Sequence, residues 1–83
     1  MKYKVYILRC SDKSLYTGIT NNLENRLKKH ASGKGSRYVR SRLPFELVYT
    51  KECKGHSEAL KFEFKIKKLT KTQKLALIRK SLQ

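Results

Sequence analysis

Apolar and polar residues alternate through Tyr-Lys-Val-Tyr-Ile-Leu-Arg (Tyr3 to Arg9), and this run of aromatic and β-branched types predicts a strand. Cys10-Ser11-Asp12-Lys13-Ser14 has turn composition, and Leu15 to Thr20 reads as a second strand, so the pair forms a hairpin. The period then changes. Leu23, Leu27 and Ala31 recur at helical spacing behind Asn21, a capping residue with Glu24 three positions on, which predicts a helix to about Ala31 or Ser32. Gly33-Lys34-Gly35-Ser36 ends it, and a basic loop runs as far as Pro44. Phe45 to Thr50 predicts a third strand, and Ser57 caps a second helix through about Leu69. Thr70-Lys71-Thr72-Gln73 is a capping box for a last helix with Leu75, Ile78 and Leu82 on one side. The order ββαβαα, without repeat or linker, predicts an α+β fold. A small three-stranded, mainly antiparallel sheet is flanked by helices in a single domain over residues 1–83.

Composition narrows the partners. Twenty-one Lys and Arg stand against six Asp and Glu, a formal charge of +15 on 83 residues. A domain of this length buries only about 60–65% of its unfolded surface. Self-repulsion on that scale weakens a compact state unless anions offset it. A polyphosphate supplies those anions, and counterion release favours its binding. A solvated surface that only confers solubility and an anionic membrane are the alternatives. The cations recur along the whole chain, and no segment reads as a basic amphipathic helix with bulky apolar anchors. The expected partner is therefore nucleic acid and not a membrane. Cys10 and Cys53 form no Cys-x-x-Cys pair, and with His30 and His56 they give no zinc spacing, so both are expected as reduced thiols. His56 and Cys53 read as parts of a short connection. Neither a leader nor a spanning stretch is evident, and the expected location is the cytoplasm.

Several residues break the pattern. On a helix from Ser57 to Leu69, the residues Ala59, Leu60, Phe62, Phe64, Ile66 and Leu69 span one broad apolar arc, with Glu63 near its middle. A carboxylate there needs a partner, because burying an isolated charge costs several kcal/mol or more. Helical geometry leaves two readings open: a structural ion pair with Lys67 or an arginine from elsewhere, or a carboxylate that faces a cleft and holds a hard divalent cation. Arg26 and His30 lie one turn apart on the first helix. One type suits phosphate binding and the other proton transfer, although an exposed pair on a basic helix has the same spacing. Tyr6 and Tyr16 occupy the two arms of the hairpin, and whether they share a face depends on a register that the turn does not fix. Gly18 leaves a bare patch inside its strand, where a ligand or backbone can come close. The loop residues Lys34, Arg37, Arg40 and Arg42 can meet phosphate, and Tyr38 can stack on a base; a solvated loop is the alternative.

Together these positions resemble the GIY-YIG nuclease superfamily, in particular its compact stand-alone bacterial members. Lys4-Val5-Tyr6 keeps the tyrosine of the first triplet, and Tyr16-Thr17-Gly18, ten residues on, keeps the tyrosine and glycine of the second. Thr20, Asn22, Arg26 and His30 continue the pattern, and Glu63 falls in the helix that carries the superfamily's metal-binding glutamate. The resemblance implies a divalent metal, Mg2+ or Mn2+, held by Glu63 and polarising the scissile phosphate. It further implies that Tyr6 activates or orients the attacking water, and that Tyr16 places the phosphate or shares the base role. His30 would assist proton transfer, Arg26 would stabilise charge on the phosphoryl group, and Gly18 would leave space for the substrate backbone.

Three functions then compete. The first is a metal-dependent endonuclease cutting DNA in preference to RNA, on repair or recombination intermediates, with a protein partner for targeting. The second is a non-catalytic nucleic-acid-binding module on the same fold, and the third an adaptor for protein contacts. A pure binder is free to lose Glu63 to an apolar residue, and this chain keeps it.

Overall fold

Strand β1 (Tyr3–Cys10) is the middle of an antiparallel sheet of order β2-β1-β3, with β2 at Leu15–Thr20 and β3 at Phe45–Cys53. The fold is described over residues 2–81 of a computed structural model. Val5, Tyr6, Ile7 and Leu8 are all buried, because helices cover both faces of the central strand. On one face Val5 and Ile7 pack with Tyr49, Cys53, Ala59, Ile66 and Ile78. On the other, Tyr6, Leu8 and Cys10 pack with Val39, against Leu23 and Leu27. Helices α3 (His56–Lys67) and α4 (Lys71–Ser81) thus cover the first face, and α1 (Leu23–Ala31) with α2 (Arg37–Arg40) covers the second. This is the expected α+β arrangement in the expected order, with one extra short helix.

The hairpin register is fixed by the pairs Tyr6–Gly18 and Leu8–Tyr16. Cross-strand partners share a face, and residues two apart on a strand do as well, so Tyr6 and Tyr16 project from the same side. The turn is held by Asp12, whose carboxylate accepts from the Ser14 amide at 3.0 Å, and Lys13 takes the left-handed conformation at φ 69°.

Several boundaries differ from expectation for local reasons. Asn22, not Asn21, caps α1, its side chain accepting from the Asn25 amide at 3.0 Å. The Thr20 hydroxyl accepts from the Asn22 amide, which fixes the strand-to-helix corner. The basic loop contains α2, capped by the Ser36 hydroxyl at the Tyr38 amide. Its four residues are too few to show a helical period, and Val39 alone anchors it in the core. Strand β3 runs on to Cys53, because Lys51, Glu52 and Cys53 pair with Val5, Lys4 and Tyr3. Cys53 and His56 therefore close a strand and open a helix; they are not loop residues. Gly55 is the N-cap of α3 and has no side chain to offer, so Ser57 lies inside the helix.

The Thr70–Gln73 capping box forms in both directions, at 2.9 and 3.2 Å. Ile78 faces the core, Leu75 is exposed, and Leu82 lies outside the described residues. Cys10 and Cys53 are free and buried in opposite clusters. No helix among the described residues is long and apolar enough to cross a membrane.

Candidate functional site

Gly18 decides how the site is assembled. A Cβ at this position would lie 2.5 Å from the Tyr6 hydroxyl, so only glycine lets the Tyr6 phenol lie across β2 toward the edge of the sheet. The bare patch expected over Gly18 is thus filled by the protein's own tyrosine. Tyr6 is 2% exposed, and its hydroxyl lies 2.9 Å from Nε2 of His30, which is itself 1% exposed at the end of α1. The two residues are 24 positions apart in sequence, and the packing of α1 on the sheet brings them together.

Tyr16 completes an aromatic group. Its ring meets His30 edge-on at 5.5 Å between centroids, lies 6.4 Å from that of Tyr6, and stacks with Tyr38 at 5.9 Å. Phe45 adds an edge contact to His30 at 6.1 Å. Tyr38 also carries the Arg42 guanidinium, 3.9 Å from its centroid. Arg42 is tied into the protein, donating to the Asp12 carboxylate and the Tyr38 carbonyl, each at 3.0 Å. Of the loop cations, Lys34, Arg37 and Arg40 are exposed and have no ion pair among the described residues. The structure brings Tyr6, Tyr16, Gly18 and His30 into one cluster and places Tyr38 and Arg42 against it.

Electrostatics keep the inner pair neutral. Burial pushes the Tyr6 phenol well above its ordinary range; the nearby Tyr16 and Glu63 raise it further, and Arg26 partly opposes them. Burial likewise holds His30 below the usual imidazole value, with Arg26 adding to the effect. At neutral pH this is a phenol hydrogen-bonded to an uncharged imidazole. Arg26 is exposed on α1 and supplies positive charge beside both.

Glu63 arrives from the opposite layer. Helix α3 packs chiefly on β2 and β1, and Glu63 is near enough for its charge to oppose ionisation of Tyr6. Its side chain is 18% exposed and lies 3.4 Å from Lys67, the partner that helical spacing predicts. The apolar arc of α3 is narrower than expected. Ala59 and Ile66 enter the core, whereas Leu60 and Phe64 are exposed, Phe64 by 61%. With Lys61, Glu63 and Lys67 they line a groove of about 420 Å³.

A metal has one carboxylate available here. The described residues hold no cluster of three or more His, Cys, Asp or Glu. A half-buried glutamate facing a groove fits an ion that keeps most of its waters and takes its other oxygens from a phosphate, as Mg2+ does. The Lys67 pair is a solvent-screened i,i+4 contact worth about 0.3–0.5 kcal/mol, and a competing cation displaces it easily.

Sequence reasoning missed Gly35 and the Ser36 amide. A Cβ on Gly35 would lie 2.5 Å from His30 Nδ1, and the Ser36 N–H donates to that nitrogen at 3.4 Å. The only signal was a second glycine in a basic loop, which resembles any flexible turn.

Paired tyrosines over a strand glycine and a helix-borne histidine thus share one face of the α+β sheet, with Glu63 on a helix of the other layer. The family of the GIY-YIG catalytic domain matches residues 2–76, and the chain belongs to that family. It is similar to the UPF0213 protein OB0043 of Oceanobacillus iheyensis, with 54% identity covering 93% of this chain and 90% of the relative. A UPF0213 protein of Clostridium perfringens is 55% identical, over 89% of this chain and 80% of its own length. Among solved structures, the UPF0213 protein BH0048 of Bacillus halodurans is 46% identical with a TM-score of 0.63, covering 95% of this chain and 84% of that one. Protein EF2693 of E. faecalis is 36% identical with a TM-score of 0.67, covering 100% and 90% respectively.

Proposed function

We propose that this protein is a metal-dependent endonuclease that hydrolyses phosphodiester bonds in DNA, with repair or recombination intermediates as substrates and the cytoplasm as its location. The observation that carries this reading is the placement of Glu63. One of only six acids in the chain, it is largely buried beside a groove on α3 and lies near enough to Tyr6 for its charge to oppose ionisation of the phenol.

The residues divide the work. Glu63 holds Mg2+ or Mn2+, which when bound supplies charge neutralisation at the scissile phosphate. Tyr6 activates or orients the attacking water, and His30 fixes Tyr6 through their hydrogen bond. Tyr16 lies beside both and places the phosphate. Arg26 faces solvent next to the pair, where its charge favours the extra negative charge of the transition state. Gly18 serves the reaction by admitting the Tyr6 ring. Lys34, Arg37 and Arg40 guide the nucleic-acid backbone toward the tyrosines, with Arg42 and Tyr38 as the inner wall of that track. Any preference for one target over another falls to DNA shape or to a protein partner.

The test is a panel of single-stranded, duplex and branched DNA, with RNA alongside, incubated with Mg2+, Mn2+ or chelator. The expected result is nicking of DNA that requires metal and stops with chelator. Binding without cleavage in every lane would instead support the non-catalytic module.

A further inference from the structure

His30 uses both ring nitrogens, and the two contacts differ in kind. Nδ1 faces a backbone N–H, that of Ser36 at 3.4 Å, and an amide can only donate. A neutral imidazole carries one proton, so an accepting Nδ1 places that proton on Nε2. Nε2 faces the Tyr6 hydroxyl at 2.9 Å, and a hydroxyl can either accept or donate. Glycine at position 35 is what lets the backbone come this close, since any Cβ there would overlap Nδ1.

We propose that the Ser36 amide, seated by Gly35, locks His30 as the Nε2–H tautomer, so that His30 donates to Tyr6 and leaves the Tyr6 proton pointing at the substrate. Tyr6 then acts as a hydrogen-bond donor to the phosphate or to the attacking water, and Gly35 and Ser36 are positioning residues. A relay that passes the Tyr6 proton to His30 needs a bare Nε2, and this arrangement denies it one. The neutral state that the lock requires is favoured by the burial of His30 and by the charge of Arg26. Tyr16, whose ring meets the imidazole edge-on, is the other titratable neighbour. The role of Tyr6 toward substrate rests on the nuclease reading, whereas the tautomer is a property of the free protein.

The test is a long-range 1H–15N correlation spectrum of histidine-labelled, metal-free protein at neutral pH, with the exposed His56 as comparison. His30 is expected to show a protonated Nε2 and a bare Nδ1. A proton on Nδ1, or on both nitrogens, overturns the proposal. Ser36→Pro removes the amide hydrogen at a residue whose φ of −81° proline tolerates, whereas Ser36→Ala removes only the hydroxyl that caps α2. The single tautomer should persist in Ser36→Ala and become a mixture in Ser36→Pro; a spectrum unchanged in Ser36→Pro counts against the lock. If Ser36→Pro fails to fold, the wild-type spectrum still decides. In the cleavage assay, Tyr6→Phe should lower kcat about a hundredfold with little change in KM, the scale of losing one transition-state donor. A wild-type kcat that climbs with pH where Tyr6→Phe stays flat would return Tyr6 to the role of base. Absence of cleavage would count against the nuclease reading and leave the tautomer to be judged by the spectrum.

Discussion

At the scale of single residues the site depends on two glycines that hold no substrate. Gly18 makes room for Tyr6 and Gly35 for the ring of His30, each with 2.5 Å between an added Cβ and the side-chain atom it would meet. Gly18→Ala and Gly35→Ala should each destabilise the fold by about 1–3 kcal/mol, the usual cost of overpacking, read from the shift of the urea midpoint. Each should also cost more cleavage than stability. His30 predicts a pH response whose sign follows from its depressed folded value. Above the unfolded value of 6.5 both states are neutral and stability is full; as pH falls below it, the unfolded chain takes up a proton that the folded ring resists. Stability should therefore decline with acidification below that point until the folded value is reached. A His30→Gln variant should lose this component in thermal melts taken from pH 7 to pH 5. Glu63 stood out in the sequence as a carboxylate within an apolar arc, whereas the tyrosines and His30 were singled out by the resemblance to the GIY-YIG superfamily. The contact between Tyr6 and His30 was not legible, because it spans 24 residues and forms only through tertiary packing.

At the scale of elements, the three strands and three longer helices were legible from period and capping residues, and the differences are local. Asn21 and Asn22 are chemically equivalent caps, and the Thr20 corner selects the second. The extension of β3 is set by pairing with β1, which sequence period cannot show. On α3, the buried Ala59 and Ile66 lie seven residues apart on one line, and Leu60 and Phe64 sit about 100° or more round the helix from it, so they face solvent. Helix α2 is the main element the pattern did not predict. It positions Tyr38 against Tyr16 and the Ser36 amide against His30, with Val39 as its buried anchor. Val39→Ala should cost about 1–3 kcal/mol of global stability through the lost packing. It should also loosen the Tyr38–Tyr16 stack, visible as altered ring shifts of Tyr16 in NMR spectra of the folded variant.

At the scale of the whole molecule, cations far outnumber the acids that could pair with them. Among the described residues Asp12, Glu24, Glu46, Glu52 and Glu63 each pair with one cation, and Glu58 accepts from the Lys54 amide. Most of the twenty-one Lys and Arg therefore remain available to phosphate. DNA affinity should fall steeply with salt, by roughly a thousandfold between about 50 and 200 mM if six or more phosphates are contacted. A flat response would contradict the electrostatic track. Charge favours binding, and the proposed metal-holding role of Glu63 is what would separate cutting from binding. The most direct measurement is thus wild type beside Glu63→Gln, with DNA affinity and Mg2+-dependent cleavage followed on the same branched and single-stranded substrates. The expected result is unchanged or tighter binding with cleavage reduced by at least about a hundredfold. Cleavage that survives in Glu63→Gln, or is absent from the wild type with every substrate and metal, would contradict the account.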